Sequence, residues 1–203
     1  MFKKLDFFFF GWIINWMYPE YYRPKHGYQR YYILFFHYLI PQKLFRLNPR
    51  VNWPVHFTST VLSPENITKG VLCDPGDNLN NYIQASNGII FGSNIELGPG
   101  VSIISSNHKQ DNLREHEKGK PITIGNNVWI GSNATVLPAV NIGNNVIIGA
   151  NSVVTKDIPS NTIAVGNPCK VIKEKGRYNE DFSKIIFNKK PLEKFESFLN
   201  ATS

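Results

Sequence analysis

The sequence predicts an all-β fold, a solenoid of short parallel strands, and two regularities in its central part are the reason. From Val55 to Pro159 an apolar residue returns at every sixth position. An α-helix repeats at about 3.6 residues and a free strand at about 2, so this period requires a turn after every short strand. Triplets of Gly, Asn, Ser and Pro separate the apolar positions, and Gly and Asn tolerate the positive φ of tight turns. The ladder contains Val55, Val61, Ile67, Cys73, Leu79, Ala85, Phe91, Leu97 and Ile103, then Ile124, Ile130, Val136, Ile142, Ile148 and Val154.

Three strand-and-turn units would close one triangular coil, and stacked coils would bury the apolar ladder inside a prism. The chain of 203 residues then divides into three parts. Residues 1–54 form an aromatic, basic N-terminal segment, residues 55–165 the solenoid, and residues 166–203 a turn followed by a tail. Because a solenoid buries its core one coil at a time, this length suffices for one principal domain.

The N-terminal segment holds 18 of the 27 aromatic residues. Its apolar stretches, residues 7–14 and 31–36, predict two short helices separated by residues 19–27. Neither stretch reaches the roughly 20 apolar residues that a membrane span needs. One interpretation is a cap over the open end of the solenoid, which would otherwise expose unpaired strand edges. The other is a surface, within residues 1–40, whose Trp, Tyr and basic side chains contact a membrane interface. The two are compatible.

The ladder is interrupted once, between Ile103 and Ile124, which are 21 residues apart. The intervening residues 107–121 are polar and charged, and they predict a loop extruded from one corner, where solenoids often build a working surface. His108 opens this loop, and an accessible histidine is the residue type that most often serves as a general base. A surface histidine that only makes a hydrogen bond is the alternative, and it suits His116, between two glutamates, better.

The spacing of apolar residues in the C-terminal tail predicts an amphipathic helix that is broken near Pro191. Its apolar residues are Phe182, Ile185, Ile186, Leu192, Phe195 and Phe198.

The charge distribution separates the ends of the chain from its centre. The net charge is +7, with +6 in residues 1–54, −2 in residues 55–155 and +3 in residues 156–203. The basic surplus therefore lies outside the ladder, and no nucleic-acid partner is predicted.

The two cysteines, Cys73 and Cys169, are expected to be reduced structural thiols. Together with the lack of a cleavable signal peptide, they predict a cytoplasmic protein, with any membrane contact at the inner face.

Three stretches resemble a known family. They read ITIGNNVWIGS from Ile122, IIGANSVVTKDIP from Ile147 and VGNPCK from Val165. The chain is similar in these stretches to the hexapeptide-repeat acetyltransferases, and most similar to the sugar O-acetyltransferases of the galactoside, maltose and nodulation-factor type and their capsule or exopolysaccharide relatives. The resemblance covers about residues 75–173, and the N-terminal segment is not part of it.

The resemblance implies a left-handed parallel β-helix, whereas general crossover rules would have favoured the opposite hand. It implies a homotrimer in which acetyl-CoA, the acyl donor, lies in the cleft between neighbouring solenoids. No metal is expected. It also implies direct transfer in a ternary complex, with His108 as the general base that removes the proton from an acceptor hydroxyl.

Further residues carry over from the family one by one. Trp129 would line the reaction centre and contact both cofactor and acceptor, with packing between copies as the alternative. The backbone amide of Ser132 would hold the thioester oxygen, and that of Ala150 would contact the pantetheine arm. The phosphates of CoA would meet Lys156, Lys170 and Lys173, for which a solvated face is the alternative. The acceptor would meet Asn78, with Asn80 as a neighbouring candidate.

The sequence therefore predicts an O-acetyltransferase that uses acetyl-CoA and a hydroxyl of a sugar or polysaccharide, such as a capsule or exopolysaccharide glycan. A small-molecule acceptor (serine, an antibiotic or an amino sugar) and a non-catalytic solenoid scaffold stay open as alternatives. A zinc carbonic anhydrase on the same solenoid would need three metal-binding histidines, and no third histidine accompanies His108 and His116 in the regular ladder.

Overall fold

A computed structural model describes residues 5–18, 21 and 30–179 of the chain. The solenoid consists of short strands, each followed by a turn, as the six-residue period predicts. The strands are β1 (Thr60–Leu62), β2 (Ile67–Thr68), β3 (Tyr82–Gln84), β4 (Ile89–Phe91), β5 (Ile95–Leu97), β6 (Ser102–Ile104), β7 (Ile122–Ile124), β8 (Val128–Ile130), β9 (Thr135–Val136), β10 (Asn141–Ile142), β11 (Ile147–Ile148), β12 (Val153–Val154), β13 (Thr162–Val165) and β14 (Lys170–Glu174).

From β3 to β12, successive strands enter three different sheets in turn, which makes each coil triangular. The sheet orders are β1-β3-β6-β9-β12, β2-β4-β7-β10 and β5-β8-β11-β13-β14. All pairings between these strands are parallel except that of β13 with β14, where the chain reverses and runs back along β13. The six-residue period did not predict β14, because an antiparallel return strand breaks the coil pattern.

The ladder residues fill the interior of the prism. Ile83, Phe91, Ile103, Ile130 and Ile148 are fully buried in one continuous apolar cluster. The strands alternate as the pleat requires, with buried residues on either side of an exposed or half-exposed one.

Leu79 is an exception to the predicted ladder, because 45% of its surface is exposed. The chain makes an additional turn after Cys73, at Pro75 and Gly76, and this turn shifts the phase of the repeat. Leu79 therefore falls in the turn before β3, and Ile83 takes the inward position in register with Val61 and Ile103.

Three columns of turns run along the edges of the prism. Two are named closed and open, for whether side chains cap their backbone N–H groups, and the third is named for the long loop that it carries. The closed corner contains residues 70–72, 92–94, 125–127, 143–145 and 159–161; the open corner contains residues 78–81, 98–100, 131–133 and 149–151; the loop corner contains residues 86–88, 105–121, 137–139 and 155–157.

Two helical segments precede the solenoid. The first has π-helical turns at Phe7–Gly11 and continues as an α-helix at Trp12–Met17. The second begins as an α-helix at Tyr31–Ile33 and continues with π-helical turns at Leu34–Leu44. Helices are thus present where the apolar stretches predict them. No helix among the described residues is long and apolar enough to cross a membrane.

Gln42 joins these helices to the first coil. Its side-chain oxygen accepts a hydrogen bond from the Tyr18 hydroxyl at 2.7 Å. Its side-chain nitrogen donates to the carbonyls of Val51 at 2.8 Å and Trp53 at 3.1 Å. Because Gln42 is fully buried, these bonds replace those that it would make with water. The Tyr38 hydroxyl also donates to the Asp77 carbonyl at 2.8 Å. The helical tail predicted after residue 179 lies outside the described residues.

Candidate active site

His108 lies in a two-stranded loop that projects from the loop corner. The Lys109 N–H donates to the Glu115 carbonyl at 2.9 Å, and the Glu117 N–H donates to the Asn107 carbonyl at 2.8 Å. Between these two bonds, His108 and His116 lie opposite each other, with ring centroids 4.4 Å apart. Both histidines are exposed, so the imidazole of His108 is open to a substrate.

Two amide side chains in the coil below, the buried Gln84 and the half-buried Asn87, fix the base of this loop. The side-chain oxygen of Gln84 accepts the backbone N–H groups of Ser105 and Ser106, both at 3.1 Å. The side-chain nitrogen of Asn87 donates to the carbonyls of Ser105 at 3.0 Å and Glu117 at 2.9 Å, and so ties both ends of the loop together. His108 is therefore only two residues from a rigid anchor.

Trp129 lies on the outer face of a different sheet, in the middle of β8, with 53% of its surface exposed. Strand pairing places it in a row across that sheet. Glu96 is on one side, and Ile147, Ile163 and Lys173 follow on the other. Three strand spacings separate Trp129 from Lys173, or about 14 Å. An exposed aromatic ring, two half-buried isoleucines and a cation thus share one face.

At the closed corner, side chains cap the backbone N–H groups. The N–H of Val71 donates to Ser93 Oγ at 3.1 Å, and that of Ser93 donates to Asn126 Oδ1 at 2.8 Å. The N–H of Asn126 donates to Asn144 Oδ1 at 2.7 Å, and that of Asn144 to Ser160 Oγ at 2.9 Å. Each oxygen comes from the equivalent position of the next coil, so this corner satisfies its own donors.

At the open corner, this column of acceptors is missing. The equivalent positions are Pro99, Ser132 and Ala150. The Asn133 N–H donates to the Pro99 carbonyl, and the Asn151 N–H donates to the Ser132 carbonyl, both at 2.9 Å, so these residues are stacked one coil above the other. Pro99 has no N–H group, and the methyl group of Ala150 cannot accept a bond from the Ser132 N–H. Within the described residues, the N–H groups of Ser132 and Ala150 make no hydrogen bond. These two donors are available to a ligand.

The predicted acceptor residues lie in the first turn of the open corner. Asn78 is half-buried, and its side-chain nitrogen donates to the Leu97 carbonyl at 3.1 Å. Asn80 is exposed, and its backbone N–H donates to Thr58 Oγ1 at 2.9 Å. The structure therefore brings Asn78 and Asn80 into one column with Ser132 and Ala150, next to the sheet that carries Trp129.

The three predicted lysines are all exposed but lie in two places. Lys170 and Lys173 belong to β14, which completes the sheet of Trp129. Lys156 follows β12 and lies at the loop corner, the corner that carries His108.

One chain does not bring His108 next to the open corner. Gly100 at the open corner and Ser105 at the loop corner are the two ends of β6, five residues apart, or about 16 Å of extended chain. The candidate base and the candidate N–H donors therefore lie on opposite edges of the same sheet.

Two acidic residues near the open corner were not among the predicted site residues. Glu96 pairs directly with Trp129, and Asp77 precedes Asn78. Burial raises the pKa of the Asp77 carboxyl well above its usual range, and the nearby charges of Asp74 and Glu96 raise it further. The sequence places Asp77 next to Asn78, and this position could have indicated Asp77. Only strand pairing shows that Glu96 lies beside Trp129.

Within the described residues, no group of three or more His, Cys, Asp or Glu side chains is arranged to hold a metal ion.

Comparison with known proteins identifies the repeat. Residues 121–156 match a family model described as bacterial transferase hexapeptide (six repeats). The chain is similar to the galactoside O-acetyltransferase of Escherichia coli (strain K12), with 45% identity over 100 residues that cover 48% of this chain and 49% of that protein. It is also similar to a putative acetyltransferase of Saccharomyces cerevisiae (strain ATCC 204508 / S288c), with 41% identity over 115 residues that cover 50% of this chain and 59% of that one.

Among solved structures, a galactoside acetyltransferase in complex with coenzyme A is 35% identical, with a TM-score of 0.50, over 61% of this chain and 68% of that one. The predicted left-handed parallel β-helix is thereby confirmed. The chain spans about half the length of the curated relatives that it matches.

Proposed function

The chain belongs to the hexapeptide-repeat acetyltransferase family, and from this premise we propose that it transfers the acetyl group of acetyl-CoA to a hydroxyl of a sugar or polysaccharide. The open corner is the observation that carries the proposal. A solenoid that served only as a scaffold would gain stability from capped amides, as the closed corner does. The unpaired donors of Ser132 and Ala150 instead suit a ligand with an extended row of acceptors.

Acetyl-CoA fits the groups around this corner. Its thioester carbonyl would accept the Ser132 N–H, which stabilises the negative charge that develops on that oxygen during attack. An amide oxygen of its pantetheine arm would accept the Ala150 N–H. Lys170 and Lys173, on the same sheet as Trp129, would meet its phosphates.

His108 would act as the general base. The imidazole takes the proton of the acceptor hydroxyl, and the oxygen attacks the thioester carbon. The new C–O bond forms, the C–S bond breaks, and the leaving CoA thiolate receives the proton from the imidazolium. An acyl-enzyme on cysteine is not needed, and both cysteines are poorly suited to one. Burial raises the pKa of the Cys73 and Cys169 thiols and keeps them protonated.

The separation of His108 from the open corner supports a site shared between copies. In a three-fold ring of prisms, the loop corner of one protomer can face the open corner of the next, because the same heterologous contact closes on itself. We therefore propose a homotrimer with the acetyl-CoA cleft between protomers. This arrangement would also bring Lys156 to the cleft, from the protomer that supplies His108.

The acceptor would lie against Asn78, Asn80 and Trp129. Amide side chains and an exposed aromatic ring are groups that bind the hydroxyls and the apolar faces of sugar rings. The similar proteins named for galactoside acetylation support a sugar acceptor. A capsule or exopolysaccharide-type glycan is the acceptor that we propose, with the reaction in the cytoplasm, where acetyl-CoA is supplied.

The first test measures thiol release from acetyl-CoA against a panel of free and polymeric sugars. His108→Ala should lower kcat by about 10³-fold, because a positioned general base contributes that much. CoA binding and melting temperature should be retained. His37→Ala removes an exposed histidine from the second helix and is the matched control. Unchanged thiol release in His108→Ala would refute the assignment.

The second test addresses the shared site by complementation. His108→Ala, at the loop corner, and Ala150→Asn, at the open corner, are each expected to lose nearly all activity. Trimers assembled from an equal mixture should regain about a quarter of wild-type activity, because that fraction of clefts combines two intact corners. If the mixture stays inactive while forming mixed trimers, the cleft lies within one protomer and the proposed arrangement is wrong.

A further inference from the structure

The outer face of the first N-terminal helix is apolar. Phe8, Phe9, Trp12 and Trp16 follow one another at spacings of one, three and four residues, and all are exposed, with 71% of Phe8 and 73% of Trp16 open to solvent. The inner face is apolar as well, because Ile14 is fully buried against the second helix. A helix that is apolar on all sides is normally covered on all sides.

The second helix extends this surface. The Phe9 and Phe10 rings are in contact, and Phe10 contacts Phe36, with ring centroids 5.7 Å apart. Phe36 is itself exposed. We call the exposed side chains of Phe8, Phe9, Trp12, Trp16 and Phe36 the aromatic surface. From Phe7 to Met17 the sequence has no charged residue, and Asn15 is its one polar side chain.

The N-terminal segment that carries the aromatic surface is basic in sequence. Residues 1–54 contain eight Lys and Arg but two acids, Asp6 and Glu20. The Asp6 carboxylate accepts the N–H groups of Tyr31 at 3.0 Å and Tyr32 at 2.8 Å, and so caps the start of the second helix. The Asp6 carboxylate therefore interacts with the positive end of a helix.

We propose that the aromatic surface docks on an anionic lipid bilayer, with the first helix lying in the plane of the interface. Trp and Phe side chains that project from one face favour the boundary between headgroups and acyl chains, and a basic N-terminal segment favours anionic lipid. The same positive charge would oppose packing of this surface against a second copy of itself. Docking is independent of the proposed reaction, because none of these residues belongs to the acetyl-transfer site.

Sedimentation with vesicles tests the docking. The full chain should bind vesicles of three parts phosphatidylcholine to one part phosphatidylglycerol, and should bind pure phosphatidylcholine several-fold more weakly. The double variant Phe8→Ser/Trp12→Ser should lose about tenfold or more in partitioning, because it removes two of the apolar anchors. Leu113→Ser, at an equally exposed apolar residue in the loop, is the matched control and should bind like wild type.

A conservative variant guards against misfolding as the cause of any loss. Tryptophan fluorescence of the wild type should be quenched by vesicles with brominated acyl chains. Trp12→Phe/Trp16→Phe should still bind but should lose this quenching, since Trp53 is buried and Trp129 lies on the solenoid. Equal binding by wild type and Phe8→Ser/Trp12→Ser would overturn the proposal. The proposal would also be overturned if the wild type did not bind vesicles and the double variant formed smaller oligomers than the wild type. A second copy of the chain would then cover the aromatic surface.

Discussion

The closed and open corners of the prism have the same turn geometry but differ in whether side chains cap their backbone N–H groups. Both repeat a tight turn whose third residue has positive φ, near 57° at Asn94, Asn127, Asn133 and Asn151. At the closed corner, Ser93 and Asn126 provide oxygens that cap the N–H groups of the coil before them. At the open corner, Ala150 provides none. One side chain per coil therefore decides whether a turn serves stability or is left available for a ligand.

Among the variants that compare the two corners, the largest expected effect comes from converting the open corner into a closed one. Ala150→Asn places a carboxamide oxygen where it can accept the Ser132 N–H, as Asn126 accepts that of Ser93. We expect kcat/KM to fall by about 10²-fold, the usual cost of removing one donor to a developing oxyanion. The melting temperature should be unchanged or higher. Ala150→Gly, which leaves the amide free, should stay active; equal losses in both variants would contradict the role of the amide.

The same substitution at the two corners should give different stabilities. Ser93 is fully buried and caps the Val71 N–H, so Ser93→Ala should lower the free energy of unfolding by about 1–3 kcal/mol. Ser132→Ala removes a hydroxyl that makes no hydrogen bond within the described residues, and we expect a change below about 0.5 kcal/mol. Urea denaturation measures both. A comparable loss of unfolding free energy in Ser132→Ala would mean that this side chain makes a stabilising hydrogen bond at the open corner, which would contradict the comparison.

A smaller effect is expected at the lysines beside the open corner. Lys170→Ala/Lys173→Ala should raise KM for acetyl-CoA by about tenfold with little change in kcat, because phosphate contacts contribute binding in the ground and transition states alike. Arg50→Ala is the control, since it removes an exposed cation beside the first coil. A fall in kcat with unchanged KM would place these lysines outside the phosphate site.

The sequence predicted the solenoid well because each coil repeats a local rule. Strand, turn and inward residue all lie within six positions, and this is why Ile103, Ile130 and Ile148 were identified as core. The rule failed at Leu79, where one additional turn shifted the phase. It also missed β14, whose antiparallel partner depends on a chain reversal and not on the period.

The candidate site was less accessible to sequence reasoning, because its residues are neighbours across coils and not along the chain. Glu96 and Trp129 are 33 positions apart in sequence yet directly paired on adjacent strands. Lys156 and Lys170 looked like one cluster in the sequence, but β12 and β14 belong to different sheets. Such relations depend on the lengths of the loops between coils, which the period does not specify.

The sequence by itself determined the coil, the loop that begins near His108 and the aromatic character of the N-terminal helices, because each depends on residues close together in the chain. Only the tertiary structure decided which corner has free N–H groups, that His108 lies on the opposite edge from them, and that the aromatic side chains face outward. These facts depend on which atoms meet when coils and helices stack. A hydrogen bond is present or absent according to its partner in the next layer, not its neighbour in sequence.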